Sequence, residues 1–400
     1  MREKLPAVAI IGLAFALLAP HATAAPKAIA PGLGSIFTAP IGSEAMVSSG
    51  KNLVFYSNSE NASADIQVTA LDQGQNKVWS TVIDSGVDEI ATAIAMDPLG
   101  NIWLAGASAS QVSAESATSL VGIDNPDNVI VDGESAVRAD MNNLGVWKLS
   151  ATGELLATYQ LSTPTIPIVN SLSVIYSGLS IVGSIDGKPF LLTATTSGVF
   201  GKVTYIGTSK SEFNVVARNS DGSSTIFGSS AETISGKKVA GIRDGLLIKV
   251  SKAGAITSIV RSSANKAARS WSSGDGVNLT SGPVIVNKSV ETAITKFNSK
   301  FAPTWTLRVP STGASQTLTA NGNSYLALTS RSSIAGVSNW KPAKPALIVL
   351  TFDSKGALKA ATALPGLVKP ISLQFSAGRG VVGLAAASDG TVSIFTLVSR

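Results

Sequence analysis

The sequence predicts an all-β protein: a seven-bladed β-propeller of four-stranded antiparallel blades, closed by pairing an N-terminal strand with the C-terminal blade. Three observations carry this prediction. A unit of apolar strand, turn, glycine and apolar strand recurs along the chain at the spacing of propeller blades. A second series, a strand followed by a turn glycine, interleaves with the first. An unattached strand near the N-terminus matches a final blade that lacks its outer strand.

The first series is clearest from Ile90 to Gly106, IATAIAMDPLGNIWLAG, where alternating apolar residues lead to Asp97, Pro98 and Gly100 and then to a second apolar run. The same pattern places turn glycines at Gly50, Gly100, Gly178, Gly222, Gly282, Gly322 and Gly378, one for each of seven blades. In the second series, VWKLSATGEL around Gly153 matches LIKVSKAGAI around Gly254, and Gly198 and Gly356 follow equivalent strands. AITKFNSKFAP keeps the strand without the glycine. Tight turns take positive φ, which glycine adopts without steric cost. The last blade ends at Arg400, where its fourth strand is due, and Gly34 to Ile41 (GSIFTAPI) supplies the missing strand. Pairing the two leaves no open seam.

Composition agrees with one ring rather than several domains. The 400 residues are 44% hydrophobic and 14% charged, a globular balance. Arg2 and Lys4 precede an apolar run from Ala7 to Leu18 and a small-residue site at Ala22-Thr23-Ala24, so residues 1–24 read as a cleaved secretory signal peptide. Residues 25–33 follow as a flexible leader and 34–400 as the propeller. The expected protein is therefore secreted or extracytoplasmic, with no membrane span after signal removal. It is not a lipoprotein, because the chain has no cysteine. The one histidine, His21, lies in the signal. His-based hydrolysis, His-ligated zinc and thiol chemistry are thereby excluded from the mature chain. The net charge of the full sequence, +6, is modest, and no block of Lys/Arg interleaved with aromatics points to nucleic acid.

Blade one is expected from Ser43 to Asp84 and blade two from Ile90 to Leu161, with a long insertion from Ala107 to Asn142 between its second and third strands. That insertion holds Asp124, Asp127, Asp132 and Glu134, the densest acidic cluster in the chain. Such oxygen ligands suit calcium, although the spacing is not that of an EF-hand and an Asx-rich turn explains it equally. No other cofactor is expected. Blade three (Asn170 to Gly207) is compact. Blade four (Glu212 to Arg261) carries an insertion with Lys237, Lys238 and Arg243. A connection then brings Arg269 and Trp271 before a compact blade five (Gly276 to Pro310). Blade six (Ser315 to Pro365) inserts Arg331, Trp340 and Lys341, and blade seven runs from Ile371. The three insertions and the segment Ser262 to Asp275 should rim one mouth of the channel, where a rigid scaffold places binding loops.

DPLGNIWLAGASAS and VWKLSATGELLATYQL resemble bacterial β-propeller repeats of the SBBP type, in which D-x-x-G-N-x-aromatic-x-x-G precedes a Lys-containing strand and a turn glycine. The resemblance implies an extracytoplasmic propeller and carries over no catalytic residue, since that repeat class has no common activity. Quinoprotein propellers repeat a Trp docking motif that is absent here.

The leading functional expectation is a monomeric binding module for a protein, peptide or polysaccharide partner, with the twelve loop residues from Asp124 to Lys341 named above as candidates. The alternatives are a carbohydrate-active enzyme using Asp84, Asp88, Glu89 and Asp140 at the mouth, or a structural protein of the cell envelope. The first strands, read as AMVSS, TAIAM, SVIYS, NVVA, VNLTS, TLTA and SLQFS, hold no carboxylate pair.

Overall fold

Seven antiparallel sheets stand around a central channel in the computed structural model, which describes residues 28–59, 64–110, 140–263, 265–276 and 278–397. Four strands run outward from the channel in each blade. Blade one uses Ala45–Ser49, Asn52–Asn58, Ile66–Leu71 and Lys77–Ile83, and blade two uses Glu89–Met96, Ile102–Ser108, Asn143–Leu149 and Leu155–Ser162. Blade three follows with Pro167–Ile175, Gly178–Ile185, Lys188–Ala194 and Thr204–Tyr205. Blade four has Ser211–Arg218, Ser224–Ser230, Asp244–Val250 and Ile256–Ser262. Blade six consists of Ser315–Ala320, Asn323–Ser330, Ala346–Phe352 and Leu358–Leu364. The middle strands are apolar on both faces, as Ile102–Ser108 shows by being buried throughout, because each sheet is sandwiched between two others. Outer strands such as Leu155–Ser162 alternate.

Closure follows the expectation. Ser35–Thr38 pairs antiparallel with Val392–Thr396, Ser35 opposite Thr396, and becomes the outer strand of blade seven beside Gly380–Ala387 and Leu367–Ser376. Part of the stretch expected as a flexible leader is also paired. Gly32–Leu33 adds a parallel fifth strand to blade six, and Ile29 exchanges backbone hydrogen bonds with the Gly336–Ser338 loop, because the outer edge of blade six otherwise lacks partners.

Burial is organised by junction. Separate apolar clusters fill the spaces between blades one and two, two and three, and so on around the ring, including the one joining Met46, Leu53 and Phe55 of blade one to Val382, Leu384 and Ile394 of blade seven. The second glycine series has a further role here. Trp79, Tyr159 and Trp305, each on an outer strand, lie against Gly153, Gly198 and Gly356 of the next blade, where a Cβ would overlap the ring. Trp79 Nε1 and Trp305 Nε1 donate to Ala151 O and Ser354 O at 3.2 Å. In the blade without that glycine, Phe301 takes the positive φ of 58°.

Blade five departs from the sequence reading. Its inner strand is not VNLTS but the segment taken for a connection, as two pieces, Ala267–Arg269 and Ser273–Asp275, both paired to Leu279–Val286. Ser289–Phe297 and Pro303–Pro310 complete it. Gly282 therefore lies within the second strand, and the positive φ of the first turn belongs to Gly276. In blade seven it belongs to Gly380, not Gly378. The signal, Ala25 to Lys27 of the leader, and the insertion residues 111–139 lie outside the described residues. No helix among the described residues is long and apolar enough to cross a membrane.

Candidate functional site

Antiparallel topology puts the blade-to-blade connections and the second-to-third connections on one side of the ring, here termed the loop face. The short first-to-second turns lie on the opposite turn face. Near the loop face the inner strands of four consecutive blades are bulged or interrupted at one position. Thr92, Asn170 and Asn214 are single extra residues in blades two, three and four, and Ser270–Ser272 interrupts blade five. A bulge bends the strand and re-aims its side chains, and it presses the backbone onto the neighbouring strand. Glycine stands opposite each time: Gly106, Gly183, Gly228 and Gly282, where a Cβ would overlap the carbonyl oxygen of Ile90, Ile168, Glu212 or Ser270. This close approach is why the second strands read WLAG, SIVG, TIFG and LTSG.

The bulged side chains stitch one blade to the next. Thr92 Oγ1 donates to Val169 O at 2.7 Å, Asn170 Nδ2 to Phe213 O at 2.8 Å, and Asn214 Nδ2 to Trp271 O at 3.1 Å. Each acceptor belongs to the residue just before the next bulge or within it. Asn58 precedes the series by exchanging two hydrogen bonds of 2.9 Å with the backbone of Ala91. Asn170 and Asn214 thus spend their amide nitrogens on the ring, while Asn58 uses both ends of its amide on Ala91.

The channel holds a cavity of about 590 Å³ lined by inner-strand residues such as Ser48, Ala95, Ser173 and Gln374. At the loop face it opens into a second space of about 540 Å³ bounded by Thr92, Asn170, Glu212, Asn214, Ser272 and Pro283. Asn170 and Glu212 also border a pocket of about 310 Å³ between blades three and four, with Ile168, Ser211 and Arg243. The two spaces share Asn170 and Glu212 and are together termed the groove. Exposed Ile168 lines it, and exposed Ile242 and Ile285 belong to the blade-four loop and to the loop-face end of a blade-five strand. The groove carries one carboxylate, Glu212, and one guanidinium, Arg243, whose Nη1 donates to Ser229 Oγ at 3.0 Å. Elsewhere on the channel, burial raises the Glu44 carboxyl above the usual carboxylate range despite hydrogen bonds from Asn58, and it raises Asp275 against a hydrogen bond from Thr319 N.

The loop beside Arg243 is held rigidly. Asp244, fully buried, accepts from Ala240 N (3.0 Å) and Gly241 N (2.9 Å) and pairs with partly buried Arg261 at 3.5 Å. Glu232 accepts from Thr208 N and Ser211 Oγ, both at 2.6 Å.

Of the described candidates, Arg243 alone borders the groove. Lys237 and Lys238 are exposed at the tip of the blade-four loop, Lys237 beside the outer strand of that blade. Arg331 and Lys341 are exposed on the blade-six loop. Trp271 and Trp340 are packed in the core, 0% and 6% exposed, so neither offers a ring face to a ligand. Arg269 is buried over the Trp271 ring at 4.4 Å, and burial, with the charge of Arg308 adding to it, pulls its guanidinium down to about 10. Asp124, Asp127, Asp132 and Glu134 lie outside the described residues.

Among the acids expected at the mouth, Asp84 and Glu89 come together with Asp65, all three presenting carboxylate oxygens within 4.8 Å of one another. Glu89 is 1% exposed. Burial raises its pKa, hydrogen bonds from Ser85 oppose the shift, and the charges of Asp65 and Asp84 add to it. Asp88 accepts from Ala64 N at 3.1 Å, and the Asp140 carbonyl accepts from Ser110 N at the base of the insertion.

Thr92, Asn170, Glu212, Asn214 and Ser272 were missed in the sequence. The available signal was the glycine shared by four second strands, which points to a backbone pressed against each of them.

No protein-family model matches the chain, and no curated protein does. Solved structures similar to it include a Bacteroides uniformis protein provisionally assigned as a 6-phosphogluconolactonase (TM-score 0.51, 10% identity, 89% of this chain and 93% of that one). BBS1N in complex with ARL6DN has a TM-score of 0.49 at 11% identity over 94% of this chain and 99% of that one. The WD40 domain of Toxoplasma gondii coronin has 0.49 at 13% identity over 94% and 89%. At such identities the likeness concerns fold alone: the chain is similar to propellers of varied function.

Proposed function

We propose that this chain is a secreted binding propeller that holds an extended segment of a partner protein in the loop-face groove over blades two to five. The observation that carries the reading is the run of bulges, which gathers Thr92, Asn170 and Asn214 around one space at the channel mouth, where the two asparagine Oδ1 atoms would accept peptide N–H groups. Exposed Ile168 and Ile242 offer contact area to apolar side chains, and Glu212 and Arg243 supply charges of opposite sign. A glycan would be expected to meet exposed aromatic rings. Exposed Tyr176 and Tyr205 instead belong to a turn-face connection and an outer strand. A carboxylate-based hydrolase is disfavoured because Glu89 is shielded from any substrate. The D-x-x-G-N repeat of blade two and the leader from Arg2 to Ala24 support an SBBP-type, exported protein whose mature chain begins at Ala25.

The test is peptide display selected against the mature chain, with a glycan array probed in parallel. Selected peptides should lose affinity at least tenfold for Ile168→Asp and for Glu212→Ala, and retain it for Lys341→Ala. Peptides indifferent to both groove variants, or binding of glycans alone, would overturn the reading.

A further inference from the structure

We infer that Asp65, Asp84 and Glu89 form a calcium site on the loop face, at the junction of blades one and two and apart from the groove. The three residues come from three strand ends: Asp65 enters the third strand of blade one, Asp84 leaves its fourth, and Glu89 opens the inner strand of blade two. Their carboxylate oxygens lie within 4.8 Å of one another. The neighbouring backbone fixes this convergence, since Glu89 N donates to Ala64 O at 2.6 Å and Gly86 N to Asp84 Oδ1 at 2.7 Å.

The independent sign of a ligand is on Glu89. Its Oε1 accepts from Ser85 N and Ser85 Oγ, but its Oε2 is buried with no hydrogen-bond partner among the described residues. A buried carboxylate oxygen left in that state beside two other acids is costly, and a bound cation removes the cost. Hydrogen-bond donors already hold one oxygen each of Asp84 and Glu89, the kind of support that outer partners give to metal ligands. An all-oxygen, irregular donor set completed by water is the coordination calcium accepts, whereas magnesium demands a near-ideal octahedron. With no cysteine in the chain and its one histidine at His21, the softer metals have no ligands here. The ion would tie blade one to blade two beside the base of the long insertion, where Ala109 N donates to Asp88 O at 2.9 Å.

The full chain, freed of metal with EDTA, would be titrated with calcium chloride and with magnesium chloride, by calorimetry and by thermal unfolding. One calcium equivalent is expected, with a saturable rise in the unfolding midpoint and at least tenfold weaker binding of magnesium. Glu89→Gln and Asp84→Asn should each weaken calcium at least tenfold. Asp84 is exposed, so its variant reads the site even if Glu89→Gln fails to fold. A chain with Asp124, Asp127, Asp132 and Glu134 changed to amides should keep the equivalent. No calcium response, undiminished binding in the Asp84 variant, or loss confined to the insertion variant would overturn the assignment.

Discussion

Asp97 is the residue on which the repeat motif of blade two turns, and replacing it with alanine gives the sharpest stability prediction. Its Oδ1 accepts from Leu99 N and Asn101 N, and its Oδ2 accepts from Asn101 Nδ2, all at 2.9 Å, and from Trp103 Nε1 at 3.0 Å. Trp103 is fully buried, so Asp97→Ala leaves an indole N–H with no water to replace its acceptor, a cost of about 2 kcal/mol. The other donors lie at a solvent-accessible turn and together add about 1 kcal/mol, for a total of about 3 kcal/mol. Urea unfolding followed by tryptophan fluorescence and by circular dichroism measures this, coincident transitions justifying a two-state fit. The same carboxylate has a pH signature. Burial raises its pKa, but the hydrogen bonds from Trp103, Asn101 and Leu99 outweigh burial and hold it below the usual range. Its contribution is therefore complete above the unfolded-state pKa of about 3.9 and is lost as pH falls through the lower native value. A loss under 1 kcal/mol, or a wild-type-to-variant difference unchanged on acidification through that window, would refute the reasoning.

Three further outcomes follow. Asp244→Ala should destabilise by about 3 kcal/mol by removing the carboxylate partner of partly buried Arg261, whereas the double change Asp244→Leu with Arg261→Met should cost less, as equilibrium unfolding of the three chains will show. Gly228→Ala places a methyl group against the Glu212 carbonyl and should cost about 1–3 kcal/mol while shifting Asn214, which chemical denaturation and a crystal structure of the variant check. Ser35→Cys with Thr396→Cys, in a chain that otherwise has no cysteine, should oxidise to an intramolecular disulfide visible as faster migration on a non-reducing gel. Ile36→Cys with Thr396→Cys, facing opposite sides of the sheet, should not.

The ring was legible because its turns demand particular residues. Gly50, Gly100, Gly222 and Gly322 all take positive φ, and the GSIFTAPI strand found the edge that the last blade lacked. Blade five was misread for two physical reasons. SSANKAARSWSSGD is too small and polar to look like a strand, yet it pairs because it lies at the channel wall, where one face meets water. Gly282 imitated a turn glycine although the bulge opposite it, not a turn, excludes a side chain there. The contrast between long and short connections survived in the described blades. Asp186–Gly187 and Asn287–Lys288 make two-residue turns of positive φ in blades three and five, where blades four and six carry loops. The groove itself was not legible, since one extra residue in an inner strand reads only as a lapse in alternation. Trp271 and Trp340 misled because a tryptophan among cations looks the same in sequence whether it is packed or exposed.

The binding role rests on where a partner segment sits, and amide hydrogen exchange on the complex with a selected peptide measures that directly. Slowed exchange should be confined to the loop-face ends of the inner strands, residues 167–172, 209–215 and 240–245. Protection on the turn face around Tyr176, or on the outer strands, with the groove unchanged would contradict it.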